Sequence, residues 1–338
     1  MPTRIVIANL DCEYDFARMR CPGPHKAIPR RVATAIALAS TSLAVFVRPG
    51  DALWTMAQLP PNPESQVELL SGERNMLNGF DEFLYWGQSE DAPHPQPENT
   101  QENGSWQESL WHLHCAPEIA ADANDRRFSL NVTSSEEYRL PGTTLIEGMP
   151  ELDHYIASAP LGVGDAWVAK VPFSASARDR VSRHGRLLQG EMRVRTERLL
   201  TRFGALLVEP WVPRVADYGV CGIVGQAMSG SCLFAPHRLY SDNTGVFRGI
   251  RIADSEVESE LGPEFFRELN ATAHAVATSL FEIGYRGPFG VVSFVYSDRA
   301  GNRRLQSLCE INARISFGLV ARAHAELSES DSFDFSLQ

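Results

Sequence analysis

The chain has 338 residues, of which 43% are hydrophobic and 22% charged, a composition typical of a globular protein with room for two or three domains. Its formal net charge of −11 argues against a general nucleic-acid binder, because such proteins carry an excess of Lys and Arg. No apolar run approaches the length needed to span a bilayer, and the six cysteines form no CxxC pair, which favours reduced thiols over disulfides. We therefore expect a cytoplasmic protein with no nucleic-acid and no membrane partner.

In the N-terminal region, predicted strands alternate with a predicted helix, as in a parallel α/β unit. Residues 4–10 predict a buried strand, 31–40 a helix and 43–47 a second strand. A polar loop with Asp11 and Glu13 follows the first strand. Because ligands bind beyond the carboxyl ends of parallel strands, this loop is a candidate for part of a substrate site, and the alternative is a solvated surface loop.

The middle of the chain begins after a polar, proline-containing segment at 89–108, which indicates an exposed insertion. Helices are predicted at 117–127 and 151–158, followed by a strand at 166–173 with one lysine, Lys170.

The loop after that strand consists of small and polar residues with two arginines. Its backbone N–H groups, the hydroxyls of Ser174 and Ser176, and the guanidinium of Arg178 can fold over phosphates. It lacks the glycines and the GK[ST] ending of a Walker A loop, so a basic surface turn is the alternative.

A buried strand ending at Glu209 leads into Pro210-Trp211-Val212-Pro213. Its prolines predict an extended connector, because proline cannot donate to a central ladder. Trp211 and Val212 offer an aromatic wall and backbone groups to a flat heterocycle, and Asp217 opens the next strand.

Further strands follow up to residue 251, and two of their arginines, Arg248 and Arg251, lie near one sheet. Arginine forks match carboxylates, so both are candidates for binding a substrate carboxylate, with structural ion pairs as the alternative. An amphipathic helix is predicted at 264–284, and the acidic tail from Glu326 is expected to be loose.

The segment 285–318 predicts two strands joined by a polar turn, the second ending in Glu310-Ile311-Asn312. Side chains two residues apart on a strand point to the same side, so the oxygens of Glu310 and Asn312 suit a hard cation such as Mg²⁺, and a strand end with solvated polar side chains is the alternative. Arg314 is two residues further on, where it is placed to meet a phosphate or acyl-phosphate oxygen.

Taken in order, these features resemble the ATP-grasp superfamily of carboxylate–amine ligases over about residues 117–320. The resemblance implies an α/β (α+β) fold. Two α+β subdomains, at 117–208 and 209–325, would follow a Rossmann-like domain at 1–116, and an acidic tail would occupy 326–338.

The resemblance also implies roles for individual residues. The implied nucleotide contacts are Lys170 to the α and β phosphates, Ser174, Ser176 and Arg178 to the β and γ phosphates, Glu209, Trp211 and Val212 to adenine, and Asp217 to the ribose. Glu310 and Asn312 would hold Mg²⁺, and Arg314 would lie near the acyl phosphate, with Arg248 and Arg251 as further contacts to the substrate carboxylate.

The implied activity is ATP-dependent amide bond formation. ATP phosphorylates a small-molecule carboxylate, and an amine, from an amino acid or peptide, attacks the acyl phosphate to give an amide, ADP and phosphate. The chain departs from the family at Val292 and Ser293, where relatives carry an acidic metal ligand. A nucleotide-binding sensor or scaffold without ligase activity and a small-molecule kinase are therefore kept as alternatives, and a homodimer is left open.

Overall fold

The computed structural model describes residues 3–21, 28–59, 67–72, 77, 79–89, 105–132, 138–173, 179–242 and 247–337. Strands in this part of the chain form three sheets, one in the N-terminal region and two that contact each other further along the chain. None of its helices has both the length and the apolar composition that crossing a membrane requires.

The N-terminal sheet is parallel, with the order β3-β2-β1-β4. Its strands are β1 (Arg4–Ala8), β2 (Ala52–Thr55), β3 (Glu68–Ser71) and β4 (Glu82–Tyr85), and the helices of this region are α1 (Cys12–Arg20), α2 (Arg30–Ser40) and α3 (Trp106–Ser109).

Two predictions for this region are wrong. Residues 41–46 form a 3₁₀ helix rather than a strand, with Leu43 and Phe46 buried one turn apart, and the second strand lies at β2. The polar loop expected after β1 is helix α1, because Cys12 and Phe16, four residues apart, are both buried on one face of it. A short apolar run fits the periodicity of a helix as well as that of a strand, so tertiary packing decides which of the two forms.

The second sheet is antiparallel, with the order β5-β8-β6-β7. Its strands are β5 (Thr144–Ile146), β6 (Trp167–Lys170), β7 (Arg180–Arg183) and β8 (Leu206–Pro210), and the helices of this region are α4 (Pro117–Asn124), α5 (Arg126–Val132), α6 (Met149–Ser158) and α7 (Gly190–Phe203). Helix α7 ends at Gly204, whose φ of 74° is the left-handed conformation that glycine adopts without strain.

The third sheet has the order β14-β13-β9-β11-β12-β15, with β10 also paired to β9. Its strands are β9 (Arg214–Val224), β10 (Cys232–Leu233), β11 (His237–Ser241), β12 (Phe247–Ile252), β13 (Gly287–Ser297), β14 (Arg303–Asn312) and β15 (Phe333–Ser336), and the helices are α8 (Asp254–Leu261), α9 (Pro263–Glu282) and α10 (Phe317–Leu327). The predicted amphipathic helix corresponds to α9, which buries Leu269, Ala273, Val276 and Leu280 at helical spacing.

A β-bulge interrupts the pairing of β13 with β14. Val292 lies opposite Glu310 and Phe294 lies opposite Gln306, so one residue of β13 faces three residues of β14. The hydroxyl of Ser293, within the bulge, is buried and donates to the carbonyl of Ser307 at 2.6 Å. Bulges re-aim side chains, and this one lies directly before Glu310.

The expectation of a loose tail is wrong over β15. This strand pairs with the edge strand β12, and Phe335 packs against Phe317 with ring centroids 5.9 Å apart. The prediction relied on the acidic composition of the tail. It did not take account of Phe333 and Phe335, which alternate along the strand and anchor it.

Candidate functional site

The core of the candidate site is a buried ion pair on one face of the second sheet. Lys170 on β6 and Glu209 on β8 place Nζ and Oε1 2.5 Å apart, with side chains only 14% and 6% exposed. Burial by itself lowers the pKa of Lys170, but Cys309 and Glu209 outweigh it and hold the pKa above its ordinary value, so the lysine stays a cation. Arg180 of β7 is paired directly with Lys170 and therefore shares its face of the sheet.

The third sheet contacts this pair, and we call the boundary between the two sheets, at Lys170, Cys309 and Arg214, the cleft. Sγ of Cys309 on β14 lies 3.8 Å from Nζ of Lys170 and 3.9 Å from Nη2 of Arg214. Arg214 opens β9, places Nη1 3.2 Å from Oδ1 of Asp217, and lies over the ring of Phe294 at 3.9 Å.

Like charges crowd this cleft. Burial and the nearby charge of Arg214 together lower the pKa of Arg180. Among the described side chains, three cations therefore come together near Glu209 and Asp217. Such an arrangement favours an anionic ligand, because an anion relieves the repulsion between the cations.

The connector after β8 forms the edge of the cleft. Trp211 is half-buried, its backbone N–H donates to the carbonyl of Ala166 at 2.9 Å, and the guanidinium of Arg180 lies 5.3 Å from its ring centroid. Val212 follows it, also half-buried. A Cβ added at Gly162 would lie 1.8 Å from the Trp211 carbonyl oxygen, so only glycine lets the connector pack this closely.

Glu310 lies at the end of the cleft and is paired with an arginine that the sequence analysis missed. Nη2 of Arg126, the first residue of α5, lies 2.5 Å from Oε1 of Glu310, and its Nη1 donates to the Val171 carbonyl at 2.7 Å. The arginine is 10% exposed and connects α5 to the ends of β6 and β14. Nothing in its local pattern marks it, and only the packing of α5 against β14 reveals its place.

Arg314 links this end of the cleft to the N-terminal region. Its Nε and Nη2 donate to Oε1 of Glu13 on α1 at 2.7 and 2.6 Å, and Nη2 also donates to Oδ1 of Asn312 at 2.9 Å. Glu13 is buried, the Arg314 side chain is 15% exposed, and the guanidinium lies 5.1 Å from the ring centroid of Trp86. The residues after β1 therefore do reach the site, from a helix rather than a loop.

Glu310 and Asn312 place one carboxylate and one amide oxygen on the same face of β14, where a hard cation would replace the contacts of Arg126 with Oε1 and of Arg314 with Oδ1. Val292, directly opposite Glu310, is apolar, and the hydroxyl of Ser293 is directed to a carbonyl. Within the described residues, no group of three His, Cys, Asp or Glu side chains comes together that could hold a metal. One carboxylate and one amide suit one Mg²⁺ that completes its shell with phosphate oxygens and water, and do not suit two ions bridged by carboxylates.

Arg248 and Arg251 are not brought to this cleft. Nη2 of Arg248 lies 2.6 Å from Oδ2 of Asp242 and its side chain is 66% exposed, while Arg251 pairs with Glu256 at 2.9 Å and with Asp334 at 2.7 Å. These contacts favour the structural ion-pair alternative for both arginines. Ser174, Ser176 and Arg178 lie outside the described residues.

A cavity of about 410 Å³ adjoins the cleft. It lies between helices α1 and α2 and the third sheet, and Asn312 and Arg314 are among its lining residues. Because Asn312 is two residues from Glu310 on the same face of β14, the cavity and the cleft meet at the end of this strand.

The fold was compared with known proteins. No protein-family model and no curated protein sequence matches the chain. The N5-carboxyaminoimidazole synthetase from Staphylococcus aureus complexed with ADP is 11% identical with a TM-score of 0.51, over 93% of this chain and 71% of that one. The biotin carboxylase–β-γ-ATP complex from Campylobacter jejuni is 10% identical with a TM-score of 0.53, over 94% and 66%. The L-amino acid ligase from Bacillus licheniformis is 11% identical with a TM-score of 0.50, over 97% and 70%.

These identities are too low to transfer a reaction, but the shared architecture extends over nearly the whole chain. The mixed α/β architecture predicted from the sequence is confirmed. The chain has the ATP-grasp fold, as the order of its sequence features predicts.

Proposed function

We propose that this protein is an ATP-dependent carboxylate–amine ligase. A carboxylate oxygen attacks the γ-phosphorus of ATP, which gives an acyl phosphate and ADP. The nitrogen of an amine then attacks the acyl carbon, the bond from this carbon to the phosphate oxygen breaks, and the products are an amide, inorganic phosphate and a proton.

The observation that supports this proposal most strongly is that a cationic cleft adjoins a cavity. Lys170 and Arg214 face each other from two sheets, and the cavity opens beside them at Asn312. A polyphosphate suits the cleft, and a second small molecule suits the cavity. Phosphoryl transfer depends mainly on holding two such reactants in line and stabilising the charge that develops between them.

The ion pairs give each cation a defined position. Glu209 orients Lys170, and Asp217 orients Arg214, so neither side chain has to be ordered when the nucleotide binds. Mg²⁺, held by Glu310 and Asn312, would neutralise charge on the phosphate oxygens. Arg126 contributes a further cation at this end of the cleft, where it contacts Glu310.

A nucleotide-binding protein without ligase activity is the second candidate. The observation that favours it is Val292, which occupies the position opposite Glu310 without an oxygen ligand. In this case the cleft would bind ATP, and neither ADP nor amide would form.

The test combines binding with product analysis. ATP binding is measured by calorimetry, and ADP release is followed with Mg²⁺ and a panel of carboxylates, with and without amines. Hydroxylamine is added to trap the acyl phosphate as a hydroxamate.

ADP release that depends on the carboxylate, hydroxamate formation and an amide product support the ligase. A phosphorylated product that no amine converts to an amide would indicate a kinase. ATP binding without turnover would support the second candidate, and the absence of ATP binding would overturn both proposals.

A further inference from the structure

We infer that the cavity selects a carboxylic acid with a bulky apolar body, aromatic or branched aliphatic, whose carboxyl group lies at Asn312 and Arg314. This inference rests on the proposed ligase function and specifies its acid substrate. It is carried by the chemistry of the cavity wall, by the placement of its charges and by its volume.

The wall of the cavity is predominantly apolar and comes from three parts of the chain. Helix α2 contributes Val32, Ile36 and Ala39, and the third sheet contributes Phe247 and Ile250. Phe317 at the start of α10 stacks on Phe247, with ring centroids 5.5 Å apart and planes inclined by 10°. An apolar body gains free energy by leaving water for such a wall, whereas a second charged or strongly hydrated group loses its solvation there.

Apart from His237, the acidic and basic side chains of the wall are Asp11 and Glu13, at the start of α1, and Arg314. Arg314 and Glu13 form their ion pair next to Asn312, where β14 leaves the cleft. Elsewhere in the wall His237 is buried, and its burial together with Arg322 lowers its pKa to about 3, so the ring is neutral at physiological pH. An acid therefore finds its polar partners at the end that meets the cleft and an apolar surface beyond it.

The size of the cavity excludes the smallest acids as its preferred ligands. Its volume of about 410 Å³ lies within the range of about 300–1,000 Å³ typical of small-molecule sites. A two- or three-carbon acid would leave most of the apolar wall without contact. A phenyl or branched alkyl group contacts more of this wall.

The test compares an acid that has an apolar body with an acid that carries a second carboxylate. 3-Phenylpropionate and glutarate are titrated by calorimetry against the full-length protein in the presence of Mg²⁺ and a non-hydrolysable ATP analogue. We expect 3-phenylpropionate to bind at least about tenfold more tightly, the smallest ratio expected for a contact in an apolar pocket. Equal or tighter binding of glutarate, or no binding of either acid, would overturn the inference.

Two variants of α2 test whether the acid binds in the cavity. Ala39→Phe fills the cavity from its wall, and Leu38→Phe enlarges the neighbouring side chain, which is 53% exposed and lies outside the cavity. Ala39→Phe should weaken 3-phenylpropionate binding at least about tenfold with ATP binding unchanged, and Leu38→Phe should change neither. Equal acid affinity in Ala39→Phe and wild type would show that the acid binds elsewhere and would overturn the inference.

ADP release separates this inference from the proposed function. If 3-phenylpropionate binds as expected and no acid supports ADP release, the ligase proposal fails and the assignment of the cavity stands. If ADP release is faster with glutarate than with 3-phenylpropionate, the ligase proposal stands and the assignment of the cavity fails.

Discussion

Lys170 and Glu209 form an ion pair that is almost sealed from solvent, with Nζ and Oε1 2.5 Å apart. Removing one partner of a buried pair leaves an uncompensated charge, at a cost of about 3–5 kcal/mol in the free energy of unfolding. Lys170→Met should therefore lower stability in urea unfolding and abolish ATP binding in calorimetry. Lys170→Met combined with Glu209→Gln should recover most of the stability and none of the binding. Recovery of binding in the double variant would show that Lys170 does not contact the nucleotide.

Arg126 should contribute to nucleotide binding, although it has no special sequence context. Hydrogen bonds to charged groups contribute about 1.5–3 kcal/mol, so we expect Arg126→Gln to raise the ATP dissociation constant tenfold or more. Arg127→Gln is the matched control, because Arg127 pairs with Asp125 instead and its side chain is 43% exposed. Equal effects of the two variants in calorimetry would assign the loss to general electrostatics.

Val292→Asp should strengthen the metal site. The new carboxylate would lie opposite Glu310 on the same face of the hairpin and supply the acid that the chain lacks there. We expect the Mg²⁺ concentration that gives half-maximal ATP binding, or half-maximal ADP release, to fall. Val292→Asn offers a neutral amide of the same shape and should have a smaller effect. An unchanged Mg²⁺ dependence in Val292→Asp would place the cation elsewhere.

His237 should make the protein sensitive to acid. Its pKa is about 3 when buried and 6.5 in the unfolded chain, so between these values the unfolded state binds a proton that the folded state does not. The contribution of neutral His237 to the free energy of unfolding is therefore complete above pH 6.5 and is lost as the pH falls toward 3. The free energy of unfolding changes by at most about 1.4 kcal/mol per pH unit over this range. The pH dependence of urea unfolding should be flatter in His237→Asn, and identical slopes would contradict this assignment.

Arg248→Ala and Arg251→Ala should leave acid binding and ADP release unchanged, because both arginines form ion pairs outside the cavity. Exposed pairs of this kind contribute little to stability. Kinetics with the preferred acid provide the measurement. A raised KM in either variant would restore the carboxylate-binding role considered from the sequence.

Local pattern predicted the elements of the site better than it predicted their partners. The sequence marks Lys170 as the one lysine of an apolar strand predicted at 166–173 and Glu209 as the end of a buried strand, and the structure joins them directly. The contacts of Glu310 with Arg126 and of Arg314 with Glu13 span 184 and 301 residues, and no local spacing encodes pairings of this length.

Short apolar runs also limit how well secondary structure can be predicted from the sequence. Residues 43–47 fit a strand as well as a helix, and their packing after α2 selects a 3₁₀ helix at Thr41–Phe46. The sequence shows that Arg248 and Arg251 can bind a carboxylate. Only the structure shows that they form ion pairs with acidic side chains of the same chain.

The bulge before Glu310 has a consequence for insertions and deletions in this hairpin. Three residues of β14, Ser307 to Cys309, face one residue of β13. Loss of one of the three would leave two residues of β14 opposite Ser293, which is the count of an ordinary bulge, and loss of two would restore regular pairing. The hairpin can therefore lose up to two residues here and still place Glu310 opposite Val292.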